Sequence, residues 1–143
     1  MQNMRPEDII SLISRVRDNA NKYIISEMNR WGIKGLAPSH GDIIFSLLTC
    51  ETLTMKELAK KIDRDKSTVT ALVDKLIKLG YVKKSRDEED NRIVYVTLTE
   101  SGKDLKPMFD SISHDLIEKI YKGIPQKEKE SLILTLKKIK KNF

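Results

Sequence analysis

Lys66-Ser67-Thr68-Val69-Thr70-Ala71 puts one cation and three hydroxyls within six residues, with Asp74, Lys75 and Lys78 following. Short hydroxyl side chains reach either phosphates or base edges, and Ala71 or a threonine methyl can pack on a thymine methyl. The lysines suit sequence-independent phosphate contacts. A second stretch, Arg86-Asp87-Glu88-Glu89-Asp90-Asn91-Arg92, crowds acids between two arginines and then turns apolar at Ile93-Val94-Tyr95-Val96. A carboxylate two residues from a guanidinium can hold it in one orientation by paired hydrogen bonds. Each pattern also has a plainer reading. The first is then the solvated side of an amphipathic helix, and the second an exposed ion pair worth little.

The elements that must position these groups follow from periodicity. Residues 6–30 read as a helix, with Pro6, Glu7 and Asp8 in its first turn and Ile9, Leu12, Ile13, Val16, Ala20, Tyr23, Ile24 and Met28 at three-and-four spacing. A second helix runs from Pro38 to about Leu48 on Ile43, Ile44, Leu47 and Leu48. Thr54 and Glu57 form a capping-box signature that opens a third helix. After the polar break DRDKST, a fourth helix buries Val69, Leu72, Val73 and Leu76 and stops at Gly80. The period then falls to two, which predicts strands over 81–85 and 92–97 with the acidic stretch as their turn. Thr99 caps a long helix carrying Leu105, Met108, Phe109, Ile112, Leu116, Ile117 and Ile120. Gly123 and Pro125 break it before a last helix over 126 to about 141. The expected fold is mostly α with a small β-hairpin wing. The third and fourth helices and the hairpin form a winged helix-turn-helix, in which the N-terminal half of the fourth helix enters a major groove.

Composition narrows the function classes. The 143 residues carry 27 Lys+Arg against 21 Asp+Glu, a net charge of +6, so a polyanionic partner is expected. Much of the excess lies in 119–143, eight lysines against two glutamates, and reads more simply as a solvated face than as a DNA flank. A single cysteine, Cys50, gives no internal disulfide framework and suits a reducing cytoplasm. Neither a secretory leader nor a membrane span is expected. The sequence contains no phosphate-binding loop, dinucleotide fingerprint or nucleophile elbow, and few acid–base side chains, so neither an enzyme nor a cofactor is expected.

Residues 53–102 resemble the DNA-binding core of the MarR family of winged-helix transcriptional regulators. The likeness rests on LT-x-x-ELA at 53–59, KSTVT at 66–70, LVDKL-x-x-x-GYV at 72–82, D-x-R at 90–92 and V-x-LT-x-x-G at 96–102, in order and spacing. It implies one domain over 1–143, with a winged helix-turn-helix lobe at 36–99 and dimerisation helices at 5–32 and 100–143. It implies duplex contacts from Lys66, Ser67, Thr68, Thr70, Ala71 and Lys75, with Arg92 of the wing in the minor groove and Asp90 as its orienter. Lys84 and Arg86 would lie near phosphate. Ala71 and Asn91 stand where many members carry arginine, which leaves fewer cations facing the duplex. A homodimer would set two reading helices roughly 34 Å apart on a pseudo-palindromic operator.

The resemblance also implies release of DNA by a small-molecule effector at the junction of the lobe and the dimer helices. Tyr23, Trp31, His40 and Phe45 are the candidates, although ordinary packing is the stronger reading of each taken alone. Cys50 reads as structural, and His40, Asp42 and His114 lack the spacing of a metal site. The reading that results is a homodimeric, ligand-responsive repressor. A winged-helix protein-interaction module without sequence-specific DNA binding is the alternative.

Overall fold

The computed structural model describes residues 4–143; residues 1–3, counted above in the single domain and in the leader reading, lie outside the described residues. A 3-10 turn over Pro6–Asp8 leads into α1 (Ile9–Arg30), followed by α2 (Pro38–Cys50), β1 (Thr52–Thr54), α3 (Met55–Ile62) and α4 (Lys66–Lys78). Then come β2 (Val82–Arg86), β3 (Val94–Leu98), α5 (Glu100–Lys103), α6 (Lys106–Ile120) and α7 (Gln126–Lys141). The architecture is the expected one, mostly helical with a small antiparallel sheet.

The local signals at 54–80 act as their chemistry dictates. Thr54 Oγ1 accepts the Glu57 amide at 3.0 Å and Glu57 Oε1 accepts the Thr54 amide at 3.0 Å, so the capping box starts α3. At the end of α4, Gly80 at φ +82 lets the Tyr81 amide return to the Leu76 carbonyl at 3.0 Å. Ile43, Ile44, Leu47, Leu58, Val69, Val73, Leu76 and Val96 are all at most 1% exposed and form the centre of the core. Burying one such side chain contributes about 1.5–3 kcal/mol.

Three expectations need correction. The sheet has three strands in the order β1-β3-β2, because Thr52–Thr54 pairs antiparallel with Tyr95–Thr97. The hairpin strands begin and end later than expected, and Arg92 sits in the turn. There Asp87 and Asp90 side chains capture backbone amides, and the regular ladder ends at Arg86–Val94. The long helix after Thr99 is two helices. Pro107 has no amide hydrogen to continue the α5 ladder, so the chain turns at Asp104–Leu105 before α6.

α5 is pressed against the sheet. A Cβ added at Gly102 would lie 2.2 Å from the Tyr81 carbonyl oxygen and 2.9 Å from Leu98 Cδ2. A backbone oxygen that is itself hydrogen-bonded to the Thr99 amide has little room to retreat. Gly102→Ala is therefore expected to destabilise the chain by about 1–3 kcal/mol or more, read as a lower urea midpoint at unchanged slope. An unchanged midpoint would show that α5 can lift from the sheet freely.

The flanking helices behave differently from the centre. α1 buries only Met28, and α7 buries none of its residues. Leu12, Ile13 and Val16 are 57%, 42% and 58% exposed, and Leu132, Ile133 and Leu136 are similarly open. The periodic stripe read on α1 is real, but its N-terminal half faces solvent in the single chain.

Candidate nucleic-acid interface

The start of α4 is built by its N-cap. Asp65 Oδ1 accepts the Thr68 amide at 2.7 Å and the Ser67 hydroxyl at 2.9 Å, and these bonds hold its carboxyl below the usual range. Thr70 Oγ1 donates to the Lys66 carbonyl at 2.9 Å. Ser67 thus commits its proton to the N-cap and Thr70 to the first turn of α4, and both keep lone pairs free as acceptors. Ser67, Ala71, Asp74 and Lys78 share the exposed side of the helix, while Val69, Val73 and Leu76 occupy the opposite side in the core.

The wing turn is organised by carboxylates. Asp87 Oδ2 accepts the Glu89 and Asp90 amides at 3.2 and 3.0 Å, and Tyr95 donates its hydroxyl to Asp87 Oδ1 at 3.3 Å. Asp90 takes the Arg92 guanidinium in a fork, Nε at 3.0 Å and a terminal nitrogen at 3.2 Å, and also accepts the Arg92 amide at 3.0 Å. Those bonds hold the Asp90 carboxyl below the usual range. The Arg92 side chain remains 90% exposed, so the fork fixes direction without covering the charge. Arg86 donates to the Asn91 carbonyl at 2.8 Å and ties the turn together.

A groove of about 970 Å³ runs between the start of α4 and the wing. It brings together Lys66 and Thr70 of α4 with Lys84, Arg86 and Arg92 of the hairpin, over a floor that includes Met55, Ala59, Ile93 and Val94. Lys56, absent from the sequence reading, joins this rim from α3. Ser67, Thr68, Ala71, Lys75 and Asp90 do not line it. Lys84 is paired with Asp74 at 3.0 Å, which ties the wing to α4. Lys75 turns away, its ammonium bonded to the Gly35 carbonyl in the loop between α1 and α2.

Residues 36–94 match the profile of the MarR family. The chain is 37% identical over 100 residues to the HTH-type transcriptional regulator SarZ of Staphylococcus haemolyticus, covering 70% of this chain and 67% of that one. The chain belongs to the MarR family of transcriptional regulators. A MarR transcriptional regulator from Methanosarcina mazei superposes with a TM-score of 0.81 at 25% identity, covering 95% of this chain and 96% of that one. The Staphylococcus aureus MepR–DNA complex shares the fold, with a TM-score of 0.84 at 20% identity, covering 99% and 100%.

In this MarR chain the four effector candidates do not converge. Tyr23 packs beneath Lys119, whose ammonium lies 5.7 Å from the ring centre; partial burial first, then the Glu27 and Asp115 charges, hold its hydroxyl above the usual range. Trp31 is 49% exposed at the end of α1. His40 is buried in α2, where Nδ1 accepts the Ala37 amide at 2.9 Å and so carries its proton on Nε2. Phe45 lines a crevice bounded by α1, α2 and α6, whereas Tyr23 lines a separate one with Asp115, Glu118 and Lys119. Among the described residues no group of His, Cys, Asp and Glu is arranged to hold a metal, and no helix is long and apolar enough to cross a membrane.

Two of the omissions had a sequence signal. Asp65 precedes Lys66-Ser67-Thr68 as an N-cap residue should, and Asp87 opens the wing turn as a side chain suited to capture amides. Lys56 had none, since its place on the rim depends on the wing folding back over α3.

His40 also sets a pH response. Burial, then the nearby Lys75 charge, hold its pKa below the ordinary 6.5. The unfolded chain takes up a proton below that value which the folded chain refuses. Stability therefore falls as pH drops from about 6.5 toward the folded pKa. The melting temperature should fall more between pH 7.5 and 5.5 in the wild type than in His40→Asn, whose amide oxygen can still accept the Ala37 amide. Equal slopes would show that the ring is not held neutral.

Proposed function

We propose that this chain acts in the cytoplasm as a homodimeric repressor that binds a pseudo-palindromic duplex and is released by a small-molecule effector. The observation that carries the reading is the groove that brings Lys66 and Thr70 of α4 beside Arg86 and Arg92 of the wing. α4 enters a major groove by its N-terminal half, where Ser67, Thr68, Thr70 and Ala71 meet base edges or backbone. The wing follows the adjacent minor groove, where Arg92, aimed by Asp90, responds to groove width. Lys56, Lys66 and Arg86 meet phosphate. Lys75 and Lys84, bonded to the Gly35 carbonyl and to Asp74, position the lobe and the wing in the free protein and reach DNA only by giving up those partners. We place the lobe at 36–99 and the dimer contacts in 5–32 and 100–143. No catalytic step is assigned.

Fluorescence anisotropy tests this on two labelled duplexes, the region upstream of the protein's own coding sequence and a scrambled control, at several salt concentrations. An affinity gap of about a thousandfold is the expected result. Thr70→Leu should narrow that gap more than it weakens binding to the scrambled duplex; equal losses on both would make Thr70 a backbone contact. Absence of binding even at low salt would overturn the reading in favour of a protein-interaction module.

A further inference from the structure

A polar crevice of about 580 Å³ opens where the sheet meets the end of α2 and the start of α6, a size within the range of small-molecule sites. The register sets Thr52, Thr97 and Lys83 side by side across β1, β3 and β2, so two hydroxyls and one ammonium share one row of its lining. Successive side chains of a strand point to opposite faces. Lys84 accordingly pairs with Asp74 and lines the groove beside α4, whereas Lys83 opens onto this crevice. α5 and α6 add Lys103 and Lys106, and the close seat of Gly102 against the Tyr81 carbonyl fixes where Lys103 stands. Those two lysines have carboxylates on their own helices, Glu100 at 3.5 Å and Asp110 at 2.6 Å, while Lys83 makes no ion pair among the described residues. Leu47, Leu48 and Leu98 supply the apolar wall. Among the described residues of the lining Glu51 is the sole acid. It turns the chain from α2 into β1 at φ +61 and ψ −57, a strained conformation for a residue with a Cβ.

We infer that this crevice binds a small soluble phosphomonoester with an apolar body, its phosphate on Lys83, Thr52 and Thr97 and its body against Leu47 and Leu48. Three ammoniums against one carboxylate favour an anion, and a dianion more than a monoanion. Ammoniums are point charges and hydroxyls rotate, so together they can follow the tetrahedral oxygens of a phosphate. A planar carboxylate is matched best by a guanidinium fork, and no arginine lines the crevice among the described residues. Lys83 gains most from an anion, since it has no carboxylate to give up. The leucines favour an aryl or alkyl ester over inorganic phosphate, because apolar area is buried against them. No residue lines both this crevice and the groove beside α4, so the site stands apart from the duplex contacts and does not depend on the regulator reading.

Titration calorimetry of the full chain with phenyl phosphate, phenol and inorganic phosphate, at physiological ionic strength, tests the assignment. Phenyl phosphate should bind at least about tenfold more tightly than phenol and about threefold more tightly than inorganic phosphate. Lys83→Met, at an exposed side chain, should weaken phenyl phosphate about fivefold or more, and Thr97→Val, which keeps the shape and suits a strand, about twofold. Glu51→Gln lifts a repulsion and should tighten binding, a gain that loss of folding cannot imitate. Lys137→Met removes the same charge from the exposed side of α7 and should leave the affinity within about twofold. Equal losses in Lys83→Met and Lys137→Met would show diffuse attraction to lysines. An unchanged affinity in Lys83→Met would put the anion elsewhere, in the groove beside α4. Either result overturns the site, as does phenol binding as tightly as phenyl phosphate, or no heat with phenyl phosphate at millimolar concentration. Sedimentation with vesicles containing phosphatidic acid tests the soluble source of the phosphate. No pelleting that depends on Lys83 is expected, and pelleting abolished by Lys83→Met but kept by Lys137→Met would overturn that source in favour of a lipid headgroup.

Discussion

Arg92→Ala is expected to weaken operator binding by about 1–3 kcal/mol, with folding and dimerisation unchanged. The side chain is 90% exposed in the free protein, so removing it opens no cavity and orphans no buried group. Its one intramolecular partner is Asp90, and an exposed pair of this kind contributes at most about 1 kcal/mol to stability. On DNA the balance reverses. The Asp90 fork has already restricted the guanidinium, so less rotamer entropy is lost when it enters a narrow groove of high negative potential. Arg92→Lys should recover little of the loss, because an ammonium cannot fill the two-point fork. Asp90→Asn should weaken binding less than Arg92→Ala, since it loosens the aim but keeps the charge. A melting curve and a size measurement on each variant verify that only the DNA term moved. Operator affinity unchanged in Arg92→Ala would remove the wing from the mechanism.

Breaking the dimer should cost more than any single contact. The wild-type chain is expected to migrate at twice its 16.5 kDa mass, and Leu12→Asp or Ile133→Asp to shift it to the monomer. Both positions are open in the single chain, at 57% and 41% exposure, so a carboxylate there is hydrated and harmless to the lobe. In a dimer the same carboxylate would be stripped of water against apolar neighbours without a partner. Two linked reading helices gain from effective concentration about 10²–10⁴ in affinity over one. Operator affinity in the monomeric variants should fall by that order while their circular dichroism is retained. A monomeric wild type, or a monomeric variant that binds as tightly, would refute the bivalent mechanism. The motivation is physical: so many large apolar side chains left open on α1, α6 and α7 are characteristic of an interaction face.

What the sequence determined by itself is local. Thr54 and Glu57 meet three residues apart on one turn, Gly80 supplies a positive φ where α4 must stop, and Val69, Val73 and Leu76 lie on one side of a 3.6-residue period. Each is set by interactions within a few residues, so each is legible in order and spacing. The Asp90–Arg92 fork belongs here too, its partners being two positions apart.

Tertiary structure decided the rest. β1 has three residues and no period to read, and it exists because Thr52–Thr54 finds Tyr95–Thr97 across more than forty positions of chain. Pro107 divided an apparently continuous helix, a local signal that the apolar stripe of α6 obscured. Lys75 and Lys84 look alike as exposed cations near the reading helix. Their orientations depend on the Gly35 carbonyl and on Asp74, groups brought close only by folding. Lys56 joined the rim and Asp42 came to face a crevice for the same reason. Periodicity says which side of a helix is apolar; what covers that side is settled by groups distant in the chain, or on another chain, whose approach no spacing encodes.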